Sequence, residues 1–109
     1  MRPFAVLAVS LAMLAAPALL RAEPRRHTVV IDDLKYKPAE IDVRAGDTVV
    51  WVNNDDRDHA VTADDGSFRS GRMGSGKRYE HTFAKSGKYA YGDDFFGRMR
   101  GSVTVRDAK

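Results

Sequence analysis

The three histidines of this sequence are the residues with the widest chemical use, because imidazole can bind a metal ion or move a proton near neutral pH. The chain contains His27, His59 and His81. His59 follows a long polar loop and precedes an apolar run, where a lone histidine is most often a surface or capping residue. His81 stands between Tyr79 and Phe83 on the inward face expected of its strand, which favours a hydrogen-bonded core or edge histidine. His27 begins an apolar run, and we expect its side chain to be exposed.

No combination of residues in the sequence indicates catalysis. A Ser-His-Asp order, a paired acid and base, and a phosphate-binding loop are all missing in any form that would support a reaction. Arginine and lysine are scattered and do not form a basic face interleaved with aromatic residues. We therefore expect a protein that is not an enzyme and that has no nucleic-acid partner.

The first 22 residues have the features of an export signal. A basic residue, Arg2, precedes the apolar stretch, and the small residue Ala22 offers a site for signal peptidase. A membrane anchor is the alternative, but a run of about 17 apolar residues interrupted by Pro17 is short for a bilayer span. We predict a signal peptide at 1–22 and one periplasmic domain at 23–109, with no membrane span after cleavage.

The absence of cysteine limits the ways in which so small a domain can be stabilised. Cleavage would remove two arginines and leave 16 basic and 15 acidic residues, so net charge says little about partners. Small exported domains often supplement a limited core with a disulfide or a metal ion. Since no disulfide can form here, a metal becomes the more interesting candidate, and the alternative is a sandwich that core packing alone stabilises.

Short β-branched and aromatic runs, separated by Gly, Pro, Asn and Asp, position these histidines. Ile41 and Val43 alternate with Asp42, as in a strand with one buried side. The run around Trp51 is apolar on both faces, so we place it centrally, with Trp51 as the main core residue. Seven or so runs with frequent turn signals predict an all-β antiparallel sandwich. The runs cover residues 27–31, 39–44, 48–53, 59–63, 78–83, 88–92 and 100–105.

From Tyr36 to Val105 the sequence resembles the cupredoxins, most closely their amicyanin and plastocyanin branch. The resemblance rests on the order and spacing of several short motifs together. They are "KPAEIDVRAGDTVVWVN", the spacing of two asparagines and His59 in "NNDDRDH", "FRSG", "YEHTF" and the closing "GKYAY…MRGSVTV". The resemblance implies a cupredoxin-like Greek-key β sandwich of about seven to eight strands. It also implies a single copper ion at one end, used to carry single electrons between proteins.

Two of the four copper ligands that the resemblance implies have been replaced. Such sites use a His from the loop after the central strand, and a Cys, a His and an axial Met from the last loop. In the closing pattern Tyr-x-Tyr-x-Cys-x-x-His-x-x-Met-Arg-Gly, the cysteine position holds Asp93 and the second histidine position holds Phe96. Of the expected ligands, His59 and Met99 remain. The matching positions are Tyr89, Tyr91, Met99, Arg100 and Gly101.

A carboxylate in place of the thiolate would change the chemistry of the metal site. Oxygen donors suit Cu(II) and other divalent ions better than Cu(I), and the blue colour would be lost. We therefore expect copper at a remodelled site of His59, Asp93 and Met99, for copper holding, delivery or electron transfer. The partner would be a redox or copper-handling periplasmic protein, and the chain itself a monomer.

The same residues also allow a protein that binds no metal. Asp93 could pair with protonated His59, or with an arginine of the last loop, and Met99 could simply pack. Asp94, the next residue, is expected to face solvent. Phe95 and Phe96 could either close this end as extra core or form an exposed patch. The alternative function is thus a metal-free cupredoxin-fold binding module that docks a partner protein through the Phe95/Phe96 end.

Overall fold

The protein is an eight-stranded β sandwich in the computed structural model, which describes residues 23–108. Seven of the eight strands were predicted from the sequence. The predicted and observed bounds agree within one or two residues, except for the segment 59–63. The strands are β1 (Arg26–Asp32), β2 (Lys35–Lys37), β3 (Glu40–Arg44), β4 (Thr48–Asn53), β5 (Thr62–Ala63), β6 (Arg78–Thr82), β7 (Gly87–Gly92) and β8 (Arg100–Arg106).

Two four-stranded sheets form the sandwich, with strand orders β2-β1-β4-β6 and β3-β8-β7-β5. Each sheet contains one parallel pair, β1 with β4 and β3 with β8, and the remaining pairs are antiparallel. The predicted antiparallel pairing thus holds for four of the six pairs and was wrong for β1 with β4 and β3 with β8. Turn signals predict tight turns between strands that are consecutive in the sequence. Here the chain instead crosses between the two sheets, so that β4 pairs with β1 and β8 pairs with β3.

Trp51 of the central strand β4 lies at the middle of the core, as predicted. Its side chain is fully buried, and its ring packs edge-on against Tyr91 with centroids 5.4 Å apart and stacks on Phe68 at 5.7 Å. The alternation in β3 is also confirmed, since Val43 is buried and Asp42 is exposed. These aromatic contacts join the two sheets and fix the ends of the strands from which the site loops leave.

The segment 59–63, predicted as a strand, forms one only at Thr62–Ala63. His59 makes an isolated antiparallel bridge with Met73 instead. The short strand β2 was not predicted, because its three residues alternate lysine, tyrosine, lysine and only Tyr36 is buried.

The predicted signal peptide at 1–22 lies outside the described residues. Within residues 23–108, no helix has the length and apolar character needed to cross a membrane.

Candidate functional site

Three loops meet at the end of the sandwich where β1 and β4 finish. The polar loop after β4 leads to His59, as the sequence predicted, and the loop between β7 and β8 carries Asp93 and Met99. His59 is fixed by its own backbone, since its N–H donates to Met73 O at 3.0 Å and its carbonyl accepts from Met73 N at 2.8 Å. The turn between β1 and β2 is the third loop. The structure thus brings His59 and Asp93 into direct contact.

Asp93 is bound to His59 in a fully buried pair. Asp93 Oδ2 lies 2.7 Å from His59 Nδ1, and neither side chain is exposed. Asp93 Oδ1 accepts from Ala60 N–H at 2.7 Å, so both oxygens of the carboxylate have partners. Asp94 faces the other way, as expected, and accepts from the Thr62 hydroxyl at 2.9 Å. The sequence left either His59 or an arginine of the last loop as the partner of Asp93, and in the structure that partner is His59.

Asp55 completes the site, and sequence reasoning did not find it. Its Oδ2 lies 2.8 Å from His59 Nε2, on the side of the ring away from Asp93. Its two oxygens also accept from the backbone N–H groups of Asp33, at 2.7 Å, and Leu34, at 3.0 Å. The loop before His59 holds three aspartates in four positions, and nothing in that spacing marks the first of them as the partner.

Hydrogen bonding keeps Asp55 ionised. Burial is the largest influence and raises the pKa of Asp55, but the N–H groups of Leu34 and Asp33 and the ring of His59 together outweigh it. The net result is that the pKa of Asp55 lies below its ordinary value. Asp55 is positioned in turn by Asn53, whose Oδ1 accepts from Asp55 N–H at 3.0 Å.

The imidazole of His59 therefore lies between two carboxylates. Ionised carboxylates only accept hydrogen bonds, so the pattern is fully satisfied when both ring nitrogens carry a proton and donate. The three side chains then form a buried imidazolium with one anion on each side, which we call the Asp55–His59–Asp93 cluster. Charge-assisted hydrogen bonds of this kind are about twice as strong as neutral ones, and the buried cation needs both partners.

Phe96 packs on this cluster, and Met99 lies beside it through its carbonyl, which accepts from Asp93 N–H at 3.3 Å. Met99 is 4% exposed and belongs to the core, and its N–H donates to Phe96 O at 3.0 Å. The Phe96 ring is half-buried and lies 5.3 Å from the His59 ring between centroids. Phe95, next in the chain, is 43% exposed. Of the two phenyl rings, one thus covers the site and the other faces solvent.

The donor atoms of His59 and Asp93 are engaged in hydrogen bonds as they are arranged here. Both His59 nitrogens and both Asp93 oxygens already have hydrogen-bond partners, and a metal ion would have to displace a proton from between them. Among residues 23–108, no group of three or more histidine, cysteine, aspartate or glutamate side chains is arranged to hold a metal ion. The Phe96 ring and the complete burial of the pair leave no open side for water to complete a coordination shell.

The other two histidines lie away from this end. His81 is half-buried and packs against the rings of Phe68, at 4.9 Å, and Phe83, at 4.7 Å, so it lies at the edge of the core. Burial lowers the pKa of His81. His27 pairs with the buried Asp47 at 2.9 Å and is 29% exposed, so the expectation that it would be exposed was wrong.

The protein is a Greek-key β sandwich of two sheets. The loop that carries His59 and the loop before the last strand meet at one end and form the candidate site. This arrangement is that of small β-sandwich proteins whose site lies in the end loops. The family model for a cupredoxin-like domain matches residues 3–105, and the chain belongs to this family. Amicyanin of Paracoccus versutus is 35% identical over 82 residues, which cover 71% of this chain and 62% of that protein. This chain therefore spans less than two thirds of that relative.

A second relative and a solved structure support the same assignment. Plastocyanin of Scenedesmus fuscus is 28% identical over 67% of this chain and 88% of its own length. The structure of a methionine-to-alanine variant of amicyanin, in the Cu(I) state, has a TM-score of 0.70 and 30% identity, covering 74% of this chain and 82% of that one. The predicted fold class is thus confirmed.

Proposed function

We propose that this protein is a cupredoxin-fold binding module that works without a bound copper ion and docks a partner protein through the Phe95/Phe96 end. The observation that carries the proposal is the Asp55–His59–Asp93 cluster, in which both nitrogens of the buried imidazole are bound to carboxylates. The position that a copper thiolate would occupy is filled by one of these carboxylates. The cluster therefore joins the loops that a metal would otherwise join.

The same substitutions remove the means of carrying electrons. The sequence has no cysteine to supply the thiolate, and Phe96 replaces the imidazole that the resemblance places at the surface. The phenyl rings at 95 and 96 keep the apolar character of that surface. Because Phe95 remains exposed, contact with a partner is the use of this end that the remaining residues support best.

We place this activity in the periplasm because residues 1–22 have the pattern of an export signal. The partner is a periplasmic protein, and redox or copper-handling proteins are the first candidates because the relatives are amicyanins and plastocyanin.

Titration of the purified protein with Cu(II), Cu(I) and Zn(II) tests the metal-free state. We expect no ion to bind more tightly than roughly 10 µM. His59→Ala and Asp93→Ala should leave whatever weak binding exists unchanged, and so should His27→Ala at the far end of β1, the matched control. Tighter binding that both site variants abolish, and that His27→Ala does not affect, would overturn the metal-free proposal.

The copper site of His59, Asp93 and Met99 is the second candidate, and one observation favours it. Asp55 holds His59 Nε2, which leaves Nδ1 as the nitrogen that faces position 93. Metal-binding histidines usually have a carboxylate on the other nitrogen in this way. The same titration decides between the two candidates, because only this one requires His59 and Asp93 to act as ligands.

A further inference from the structure

Strand β3 has an open edge at the side of the sandwich. It pairs with β8 on one side, and on its other side no strand of residues 23–108 pairs with it. The N–H of Ser102 in β8 donates to Ala39 O at 2.8 Å. Backbone groups of successive residues in a strand point to opposite sides, so the odd-numbered residues of this segment face β8. The N–H and C=O groups of Glu40 and Asp42 therefore face outward.

Arg44 closes this open edge. Its N–H donates to the carboxylate of Asp47 at 3.0 Å, and its carbonyl accepts from Asp47 N–H at 2.9 Å. A carbonyl has two lone pairs, so that of Arg44 can accept a second bond. Because so short an edge offers few backbone bonds, its side chains decide which strand can pair with it.

The side chains of β3 have a charge pattern that complements itself. Glu40, Asp42 and Arg44 are exposed on the outer face, while Ile41 and Val43 point inward. Ile41 packs against the core but is only half-buried. In an antiparallel pair of two β3 strands centred on Asp42, Glu40 lies opposite Arg44 of the second copy, and Ile41 lies opposite Val43. Two-fold symmetry repeats each of these pairs.

Charge excludes two of the possible registers. Backbone bonds form only where outward-facing residues lie opposite one another, so the two-fold axis must pass through one residue of the segment 40–43. An axis at residue 40 would place Glu40 opposite itself, and an axis at 41 would place Glu40 opposite Asp42 of the second copy. Like charges directly opposite one another destabilise a sheet.

Backbone bonding separates the two registers that remain. With the axis at 43, Asp42 lies opposite Arg44, whose N–H is already bound to Asp47, so one of their two backbone bonds is lost. With the axis at 42, the two Asp42 residues exchange both bonds, and Glu40 N–H reaches the carbonyl of Arg44. The two Asp42 carboxylates are then neighbours, but Arg106 of the same chain, 3.3 Å from each, partly offsets that charge.

We propose that two copies of this protein associate through β3, in an antiparallel pair with Asp42 at the two-fold axis. The second sheets of the two copies then form one continuous sheet, in the order β5-β7-β8-β3 followed by β3-β8-β7-β5 of the second copy. This pairing lies outside the proposed function, because it uses the side of the sandwich and needs neither a metal nor a docking partner. It replaces the monomer that we expected from the sequence.

Sedimentation velocity of the purified, exported protein tests the association. We expect a reversible equilibrium between monomer and dimer with a dissociation constant of roughly 10–100 µM, because an interface of one short strand is small. A protein that stays monomeric up to roughly 500 µM would overturn the inference.

Glu40→Arg and Arg44→Glu test the charge pairing. Each variant alone places like charges opposite one another, so its dissociation constant should rise roughly tenfold or more. An equal mixture of the two variants should associate again, because each facing pair at these positions in the mixed dimer then has opposite charges. Asp42→Asn removes the like-charge contact at the axis and should tighten the dimer roughly threefold.

Glu80→Arg is the matched control, because Glu80 is an exposed glutamate on β6, the edge strand of the first sheet. It should leave the association unchanged, and the fluorescence of Trp51 shows which variants remain folded. Association that a folded Glu40→Arg variant leaves intact, that Glu80→Arg abolishes, or that the mixture fails to restore would overturn the pairing through β3.

Discussion

His59 has little freedom at the site, because each ring nitrogen has a carboxylate partner and its backbone is bridged to Met73. The two partners come from different loops, Asp55 from the loop after β4 and Asp93 from the loop after β7. The Asp55–His59–Asp93 cluster therefore joins three segments of chain, since Asp55 also holds the turn at Leu34. Removing one anion would leave a buried cation with half of its compensation.

Asp93→Ala and Asp93→Asn should differ in their effect on stability. Alanine leaves the ring nitrogen and Ala60 N–H without partners and should lower the free energy of unfolding by about 3–5 kcal/mol. Asparagine can accept from Ala60 N–H and donate to a neutral imidazole, so we expect a loss of about 1–2 kcal/mol. Urea unfolding followed by the fluorescence of Trp51, the single tryptophan, measures both. Equal losses in the two variants would contradict the hydrogen-bond assignment.

Asp47, at the opposite end of the sandwich, should contribute to acid sensitivity. Burial, the largest influence, raises the pKa of Asp47, but hydrogen bonds from Arg25 N–H, the His27 ring and Arg44 N–H outweigh it and leave the pKa below its ordinary value of 3.8. A lowered pKa means that the carboxylate stabilises the fold above this ordinary value, and that the contribution is lost as pH falls through the lower, folded value.

Asp47→Asn is the variant that tests this contribution. The stability difference between the wild type and the variant should shrink as the pH falls below about 4. Urea unfolding at a series of pH values measures it. A difference that stayed constant into strong acid would contradict the role of the ionised carboxylate.

At the scale of strands, the local sequence predicts strand bounds and side-chain burial, because both depend on the alternation and composition of short segments. The bounds of β4 and the burial of Trp51 follow from an apolar run with turn residues on both sides. Pairing between distant segments has no such local signal, which is why the bonds of His27 to Asp47 and of His59 to Asp55 were not predicted. The alignment placed Asp93 beside His59, but the second carboxylate depends on a loop path that only the folded chain defines.

Pairing of β7 with β8 requires a glycine at position 101, because the ring of Tyr91 lies where a larger residue would place its Cβ. Tyr91 and Gly101 are opposite one another, and a Cβ built on Gly101 would lie 2.5 Å from the Tyr91 ring, which is fully buried and cannot move away. Gly101→Ala should therefore cost about 1–3 kcal/mol in unfolding free energy.

Gly92→Ala is the matched control for this prediction, because Gly92 lies in the same pair of strands. The nearest atom to its added Cβ would be the end of the flexible, exposed Arg100 side chain, at 2.6 Å. We expect it to cost clearly less than Gly101→Ala in the same unfolding experiment. A larger cost at Gly92 would mean that backbone crowding by Met99 O, and not ring contact, limits this pair.

At the scale of the whole molecule, the chain has the cupredoxin-like fold, and Asp93 and Phe96 stand where the resemblance implies a cysteine and a histidine. Asp93→Cys combined with Phe96→His should restore two imidazoles and a thiolate around a position next to Met99. We expect Cu(II) to give this double variant an intense visible absorption band. Phe96→His alone should remain without the band, because it still lacks the thiolate. A colourless double variant would contradict the alignment of the last loop.

The parallel ladder between β3 and β8 also determines when the protein can fold. Among the strands of residues 23–108, β3 lies at the edge of its sheet and pairs with β8 alone, with Glu40 opposite Ser102. During synthesis, β3 therefore gains this partner only after about 60 further residues have been added. The second sheet is therefore incomplete until β8 has been synthesised, although β5 and β7 can pair before then. The first sheet has all four of its strands once Thr82 has been synthesised, so the two sheets become complete at different stages of synthesis.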